Sequence, residues 1–212
     1  MIPIVEINIL VENFKMDVKI EILLSKAEIL IQSGKKEEAI LALTRAAEMG
    51  STVACERLAE GMIMEATTIS NDQAFVWAQK AVKLGGSRGY TVLGICYLEG
   101  KGTVKDFELA RENFKKAAEK GDIKAPRYLG IIYEQGLGVK RSLKSAATYY
   151  RKAAEKGDIT SQYHMGRFYE NGIFVKSDKL TAVQWYEKSA MQGGRVSEPA
   201  IEALKRLRKG EM

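Results

Sequence analysis

The sequence predicts an all-α fold, a solenoid of about five helix-turn-helix repeats, and three observations carry that prediction. The string Lys-Ala-Ala-Glu-Lys-Gly-Asp occurs at Lys116–Asp122 and again at Lys152–Asp158, the two copies starting 36 residues apart. The same offset links Gly94, Gly130 and Gly166, then Tyr97, Tyr133 and Tyr169, and also Gly100, Gly136 and Gly172. It links Ala110, Ala146 and Ala182, and the aromatic set Phe114, Tyr150 and Tyr186. Only 3 prolines interrupt a chain rich in Ala, Leu, Lys and Glu, which suits helices. One supersecondary unit copied at this period is the signature of a solenoid, which binds along an extended face rather than in a compact pocket.

The N-terminal run Met1–Val11 is apolar but broken by Glu6 and Asn8, and it lacks a basic leader and a small-residue cleavage site. Pro3–Glu12 alternates like a short strand, although an isolated strand has no partner here. Residues 1–16 are therefore expected to be a loosely ordered arm, or an artefact of start-codon choice with Met16 as the true beginning. Residues 17–196 are expected to form a single solenoid, with hairpins at about 20–50, 51–86, 87–122, 123–158 and 159–194. In the first, Leu23, Ala27, Leu30, Ala39, Leu43 and Ala46 flank a tight turn at Ser33–Lys36. In the second, Leu58, Ala59, Ala74 and Ala81 keep the framework, but the loop around Glu65–Asp72 has no glycine.

The unit at 123–158 is the best formed. Ala125, Leu129, Gly130 and Tyr133 fall on one helical stripe, and Gly130 leaves room for a second helix to approach closely. Gly136 and Gly138 end that helix, and Ala146, Tyr150, Ala153 and Ala154 line its partner. The unit before it repeats these features, and the one after it replaces the second loop glycine with Phe174. Residues 197–212 read as a capping helix. Ser197 would N-cap it, with Pro199 in the first turn and Ala200, Ile201, Leu204 and Leu207 facing the stack.

The formal net charge is +6, but residues 1–100 carry 10 basic against 13 acidic side chains and residues 101–212 carry 23 against 14. The bases are mostly interleaved with acids at helical spacing, the pattern of a solvated helix face, so no nucleic acid is expected. An acidic protein segment is the more economical partner. Cys55 and Cys96 sit in apolar helical surroundings and cannot build a disulfide framework. No stretch of 18 apolar residues exists, so no membrane span is expected, and a reducing cytoplasm is the default compartment.

Residues 88–194 resemble the Sel-one-like repeat (SLR) family. Its pattern runs Leu-Gly, Tyr, Gly-x-Gly-Val, then a second helix with Ala, an aromatic residue and a Lys-Ala-Ala-x-x-Gly ending. Gly94, Tyr97, Gly100, Gly102, Ala110, Phe114, Lys116, Ala117, Ala118 and Gly121 match it, and the next unit adds Leu137-Gly138-Val139. The hairpin at Leu23–Gly50 looks tetratricopeptide-like (TPR-like), the same architecture with a shorter inner turn. The resemblance implies a right-handed α/α superhelix used for protein–protein interaction, often as an adaptor, with bacterial members common in signalling or host contact. Some cysteine-rich members bind β-lactams, but those carry a disulfide in each repeat, which this chain cannot.

No residue set argues for an enzyme, a cofactor or a metal. His164 is the only histidine and has no Cys or Asp constellation around it in sequence. Gly100-Lys-Gly102 and Gly136-Leu-Gly138 lack the Gly-Lys-Ser/Thr ending of a phosphate loop and follow no strand. The aromatic stripe of Tyr97, Tyr133, Tyr169, Phe114, Tyr150 and Tyr186 reads as core. If Leu129, Gly130 and Tyr133 face the packing, then Lys124, Arg127, Ile131, Glu134 and Gln135 face a concave groove. The equivalent residues are Arg88, Thr91, Ile95 and Glu99 before them and Tyr163, Arg167, Glu170 and Asn171 after them. An apolar centre at Ile95 and Ile131 flanked by Arg127 and Arg167 suits a partner segment with an apolar anchor and acidic flanks. The alternatives are a small-molecule binder or hydrolase using the groove as a pocket, and a self-associating scaffold in which the N-terminal arms pair; a monomer is the favoured state.

Overall fold

A computed structural model of the chain describes the backbone of residues 4–65 and 68–209. Eleven α-helices run in order through them: α1 Ile4–Gln32, α2 Lys36–Glu48, α3 Thr52–Glu65, α4 Thr68–Lys83, α5 Ser87–Glu99 and α6 Phe107–Glu119, then α7 Ala125–Gln135, α8 Leu143–Glu155, α9 Ile159–Asn171, α10 Lys179–Met191 and α11 Glu198–Lys209. A 3-10 turn at Arg195–Ser197 precedes α11, and the described residues contain no strand. The fold is all-α, in successive helix-turn-helix units.

The alternation at Pro3–Glu12 does not make a strand. Pro3 lies outside the described residues, and Ile4–Glu12 opens the 29-residue α1, which carries the chain through Met16 without a break. A helix satisfies its own backbone bonds, whereas a lone strand would leave its edges unpaired. At the other end Ser197 does not cap α11 by accepting a bond. It is buried, and its hydroxyl donates back to the carbonyls of Ser189 (2.7 Å) and Gly193 (2.9 Å). Ala200 and Ala203 are the buried residues of α11, and Ile201 stands exposed rather than facing the stack.

The repeat is visible as recurring hydrogen bonds. Gly136 ends α7 in the left-handed region at φ 75°, and Gly100 and Gly172 end α5 and α9 in the same way. The chain then returns to its own first helix, because the amides of Asp106, Ser142 and Asp178 bond the carbonyls of Tyr97, Tyr133 and Tyr169 at 2.8–2.9 Å. Asp122 and Asp158 start the next helices, with Asp158 accepting from the Ser161 amide at 2.8 Å and Asp122 from Ala125 at 2.9 Å. The 36-residue frame puts Gly86 at the same place before α5. There a carboxylate from another helix substitutes, since Glu56 on α3 accepts from the Arg88 amide at 2.9 Å. A Cβ at Gly86 would lie 2.6 Å from that Glu56 oxygen, so the glycine makes way for the borrowed cap.

The chain divides into two compact units, Met1–Asp106 and Phe107–Met212, with the boundary in the loop between α5 and α6. In the first, Ala27, Leu43, Ala46, Ala54, Cys55, Leu58, Ala59, Ala74, Ala78, Ala81 and Cys96 are buried in one apolar cluster. Its small side chains let α3 pack against both α4 and α5. In the second, Tyr150 and Tyr186 are wholly buried and centre two successive clusters with Met165 and Phe168, and with Ala182, Ala200 and Ala203.

Candidate functional site

The second unit carries a cleft of about 640 Å³ formed by α7, the loop after it, α8 and α9. Ile131, Glu134, Gln135, Arg141, Tyr150, His164 and Arg167 line it. Ile131, Glu134, Gln135 and Arg167 were expected from the helical spacing to face a groove, and the structure gathers these four around one cleft.

The cleft is built on a half-buried polar chain. The Tyr150 hydroxyl donates to Glu134 Oε2 at 2.7 Å, and Arg167 Nη2 lies 3.6 Å from Glu134 Oε1. Arg167 Nη1 donates to His164 Nδ1 at 3.1 Å, which requires neutral histidine with its proton on Nε2. The His164 ring lies parallel to Tyr150, 4.3 Å between centroids. Burial is the largest effect on His164 and pulls its pKa down to about 4, against the opposing attraction of Glu134. Burial and the neighbouring Glu134 carboxylate push the Tyr150 hydroxyl well above the usual range, so it remains a donor. At the rim Arg141 Nε donates to the Glu134 carbonyl at 2.9 Å. That bond uses one of the five N–H donors of a guanidinium.

The remaining groove candidates are placed differently. Arg127 is absent from the cleft lining: its Nη1 bonds Asp158 Oδ2 at 2.9 Å and Thr160 Oγ1 at 3.4 Å, and its guanidinium stacks on Tyr128. Lys124 is exposed at the start of α7. On α9, Tyr163 packs beside Tyr186 with ring centroids 5.7 Å apart, and Asn171 donates to the Arg167 carbonyl. Glu170 repeats the role of Glu134, accepting from the Tyr186 hydroxyl at 2.6 Å and pairing with Arg206 of α11 at 2.6 Å.

In the first unit, exposed Arg88 lies 4.0 Å from Glu56 and 3.9 Å from Glu60, Glu99 pairs with Lys101 at 2.7 Å, and Ile95 packs on the core. Thr91 corrects the expectation. It is 2% exposed and cannot face a partner, because α5 is packed by α3 as well as α4.

Sequence reasoning missed Arg141, Tyr150 and His164 as lining residues. Arg141 follows Lys140 in the loop between α7 and α8, and the repeat frame alone marks it, because Ser177 at the same position caps the Glu170 carbonyl at 3.1 Å. Tyr150 and His164 read as core and as an isolated histidine, and their rings are indeed packed against each other.

The remaining chemistry is sparse. Among the described residues no group of three or more His, Cys, Asp or Glu side chains could hold a metal, and no helix is long and apolar enough to cross a membrane. Cys55 and Cys96 are free and buried, and burial pushes the Cys96 thiol up to about 12.

Comparison with curated proteins gives no match. Among solved structures, a Sel1 repeat protein from Oxalobacter formigenes is 28% identical with a TM-score of 0.69, covering 82% of this chain and 71% of its own. A protective antigen present in uropathogenic Escherichia coli strains, displaying an SLR fold, is 27% identical with a TM-score of 0.68. It covers 88% of this chain, which spans only 40% of that antigen. A Sel1 repeat protein from Klebsiella pneumoniae subsp. pneumoniae, at 22% identity and a TM-score of 0.63, shares the fold over 92% of this chain and 96% of its own. The Sel1 repeat itself matches at residues 53–86, 87–122, 124–158 and 159–194, and such repeats are in general protein-interaction modules. Those four matches fill most of the sequence, and the chain belongs to the Sel1 repeat family.

Proposed function

We propose that this chain is an adaptor whose α7–α9 cleft holds an extended segment of a partner protein. The observation that carries the reading is the cleft lining, where Ile131 offers apolar surface between Gln135 and two arginines, Arg141 and Arg167. Counting Glu134 and neutral His164, the lining has a net positive charge. It suits a segment with one apolar anchor and a carboxylate beside it, since Arg recognises carboxylates through paired donors. Arg167 is held by Glu134 and His164, and Arg141 commits only Nε to the protein, so Arg141 supplies the recognising cation. Arg127 takes no part, because Asp158 holds it.

The test uses Ile131→Asp and Arg141→Ser, with Lys152→Glu on α8 as control. Serine at 141 keeps the carbonyl cap, as Ser177 does one repeat later, while removing the charge. Affinity capture from the native cell with mass spectrometry should recover one partner with the wild type and Lys152→Glu and lose it with both cleft variants. Equal recovery with all four proteins would overturn the assignment of the cleft.

A further inference from the structure

Apolar residues lie on more than two sides of α1, and Ile9, Leu10, Met16 and Ile31 are among those exposed, at 44–60%. Ala27 and Leu30 are buried and Leu23 and Leu24 half-buried against the core of the first unit. On the opposite side Val11, Phe14, Val18, Ile22 and Ile29 stand 42–69% exposed, with Ser25 completing the row. Phe14, Val18, Ile22, Ser25 and Ile29 line a shallow apolar trough edged by Asp17, Glu21 and Lys26. α2 has 13 residues against 29 in α1, so it is too short to cover the N-terminal half of that helix.

The row has a period. Val11 and Ile22, Phe14 and Ser25, and Val18 and Ile29 are each eleven residues apart. Eleven residues make just over three whole turns, so the row runs nearly straight along the helix for about 27 Å, and an eleven-residue repeat is a pattern of helices that pack on helices. Exposed apolar rows of this length mark a binding face.

The edges of the row name the occupant. At 100° per residue Asp17, Glu21 and Glu28 fall along one edge and Lys15, Lys19 and Lys26 along the other. Glu28 bonds Arg57 and Lys15 bonds Glu12, so Asp17, Glu21, Lys19 and Lys26 remain to meet a partner helix. A parallel two-fold pair sets the acidic edge of one helix against the basic edge of the other. An antiparallel pair sets acid against acid and base against base. Glu21 and Lys26 are five residues apart and flank the row symmetrically, the spacing by which parallel helices form charge pairs across a seam.

We propose that α1 pairs in parallel and in register with α1 of a second copy of this chain, burying the Val11–Ile29 row at a homodimer seam. Glu21 of each copy meets Lys26 of the other, and the two Ser25 side chains face one another across the axis. The pairing goes beyond the cleft assignment and does not depend on it.

Sedimentation equilibrium should give twice the chain mass of 23.6 kDa. The double substitution Phe14→Glu/Val18→Glu, at exposed positions, should yield a monomer with the wild-type circular dichroism spectrum. Glu21→Lys should raise the dimer dissociation constant at least about tenfold (1.4 kcal/mol), and adding Lys26→Glu should restore it, which a loss of folding could not do. Orientation is read by oxidising Val11→Cys and Ser25→Cys separately, since disulfides need Cα atoms within about 7 Å and the native cysteines are buried. In a parallel seam both variants cross-link to themselves. A monomeric wild type, a dimer indifferent to Phe14→Glu/Val18→Glu, or cross-linking only when Val11→Cys and Ser25→Cys are mixed would each overturn the proposal.

Discussion

Tyr150 donates a 2.7 Å hydrogen bond to Glu134 sixteen residues before it, and one repeat later Tyr186 and Glu170 make the same bond at 2.6 Å. At the matching positions one repeat earlier the chain has Phe114 and Leu98. Hydroxyl and carboxylate occur together or are replaced together by apolar groups, because a buried half of the pair would be left unsatisfied. Tyr150→Phe should destabilise by about 1–2 kcal/mol, as expected for a bond to a charged group that keeps a second partner in Arg167. The double variant Tyr150→Phe/Glu134→Leu, copying the earlier repeat, should lose less than the two single changes together. Urea unfolding of all four proteins checks this, and strict additivity would deny the coupling.

Two helical glycines should respond to alanine with opposite signs. A Cβ at Gly130 would lie 2.6 Å from the Tyr150 ring, which is wholly buried and stacked on His164 and cannot swing away. Gly130→Ala should cost about 1–3 kcal/mol by overpacking. Gly61 on α3 is exposed and a Cβ there meets nothing, so Gly61→Ala should add up to about 1 kcal/mol through helix propensity. Melting temperatures moving in the same direction would mean that the helix packing is misassigned.

His164 makes stability depend on pH. Its folded pKa of about 4 lies below the ordinary 6.5, so between these values the unfolded chain binds the proton and the folded one does not. The stabilisation is complete above pH 6.5 and fades as pH falls to 4, by about 3 kcal/mol in all. His164→Phe keeps a ring over Tyr150 and should flatten that part of the profile. Equal slopes for the two proteins from pH 6.5 to 4 would show that the ring is not held neutral.

Phe174 is the single residue other than glycine with positive φ among the described residues, at 59°, and stands 55% exposed where earlier repeats have Gly102 and Gly138. Its ring gains only a distant contact with the Lys144 ammonium, 5.9 Å away. Phe174→Gly should therefore raise stability by about 0.5–1 kcal/mol, part of the left-handed strain being offset by the entropy of glycine. A fall in melting temperature would refute the strain.

What the sequence made legible was whatever recurs every 36 residues. Gly130 beside Tyr150, Gly136 at the helix end and the Ile131–Glu134–Gln135 face follow from helical spacing within one unit. What it hid were contacts between distant residues and features that occur once. Glu56 caps a helix through an amide 32 residues away because Gly86 stands where later repeats have aspartate. Arg127 was expected to flank the groove, but the Asp158 cap of the following helix claims it. The apolar run of α1 alternates over a few residues like a strand, and its eleven-residue period emerges only along the whole helix.

The central claim, that a protein segment binds on the α7–α9 cleft, is tested most directly by mapping such a segment onto the chain. Peptides selected from a random extended library on the wild-type protein are added to isotope-labelled protein, and amide shifts are followed by NMR. The account predicts selected peptides with an apolar residue beside Asp or Glu, and shift changes concentrated at Ile131, Gln135, Arg141 and Arg167 that vanish in Arg141→Ser. Peptides without acidic residues, or shifts concentrated on α8 and α10 and unaffected by Arg141→Ser, would contradict it.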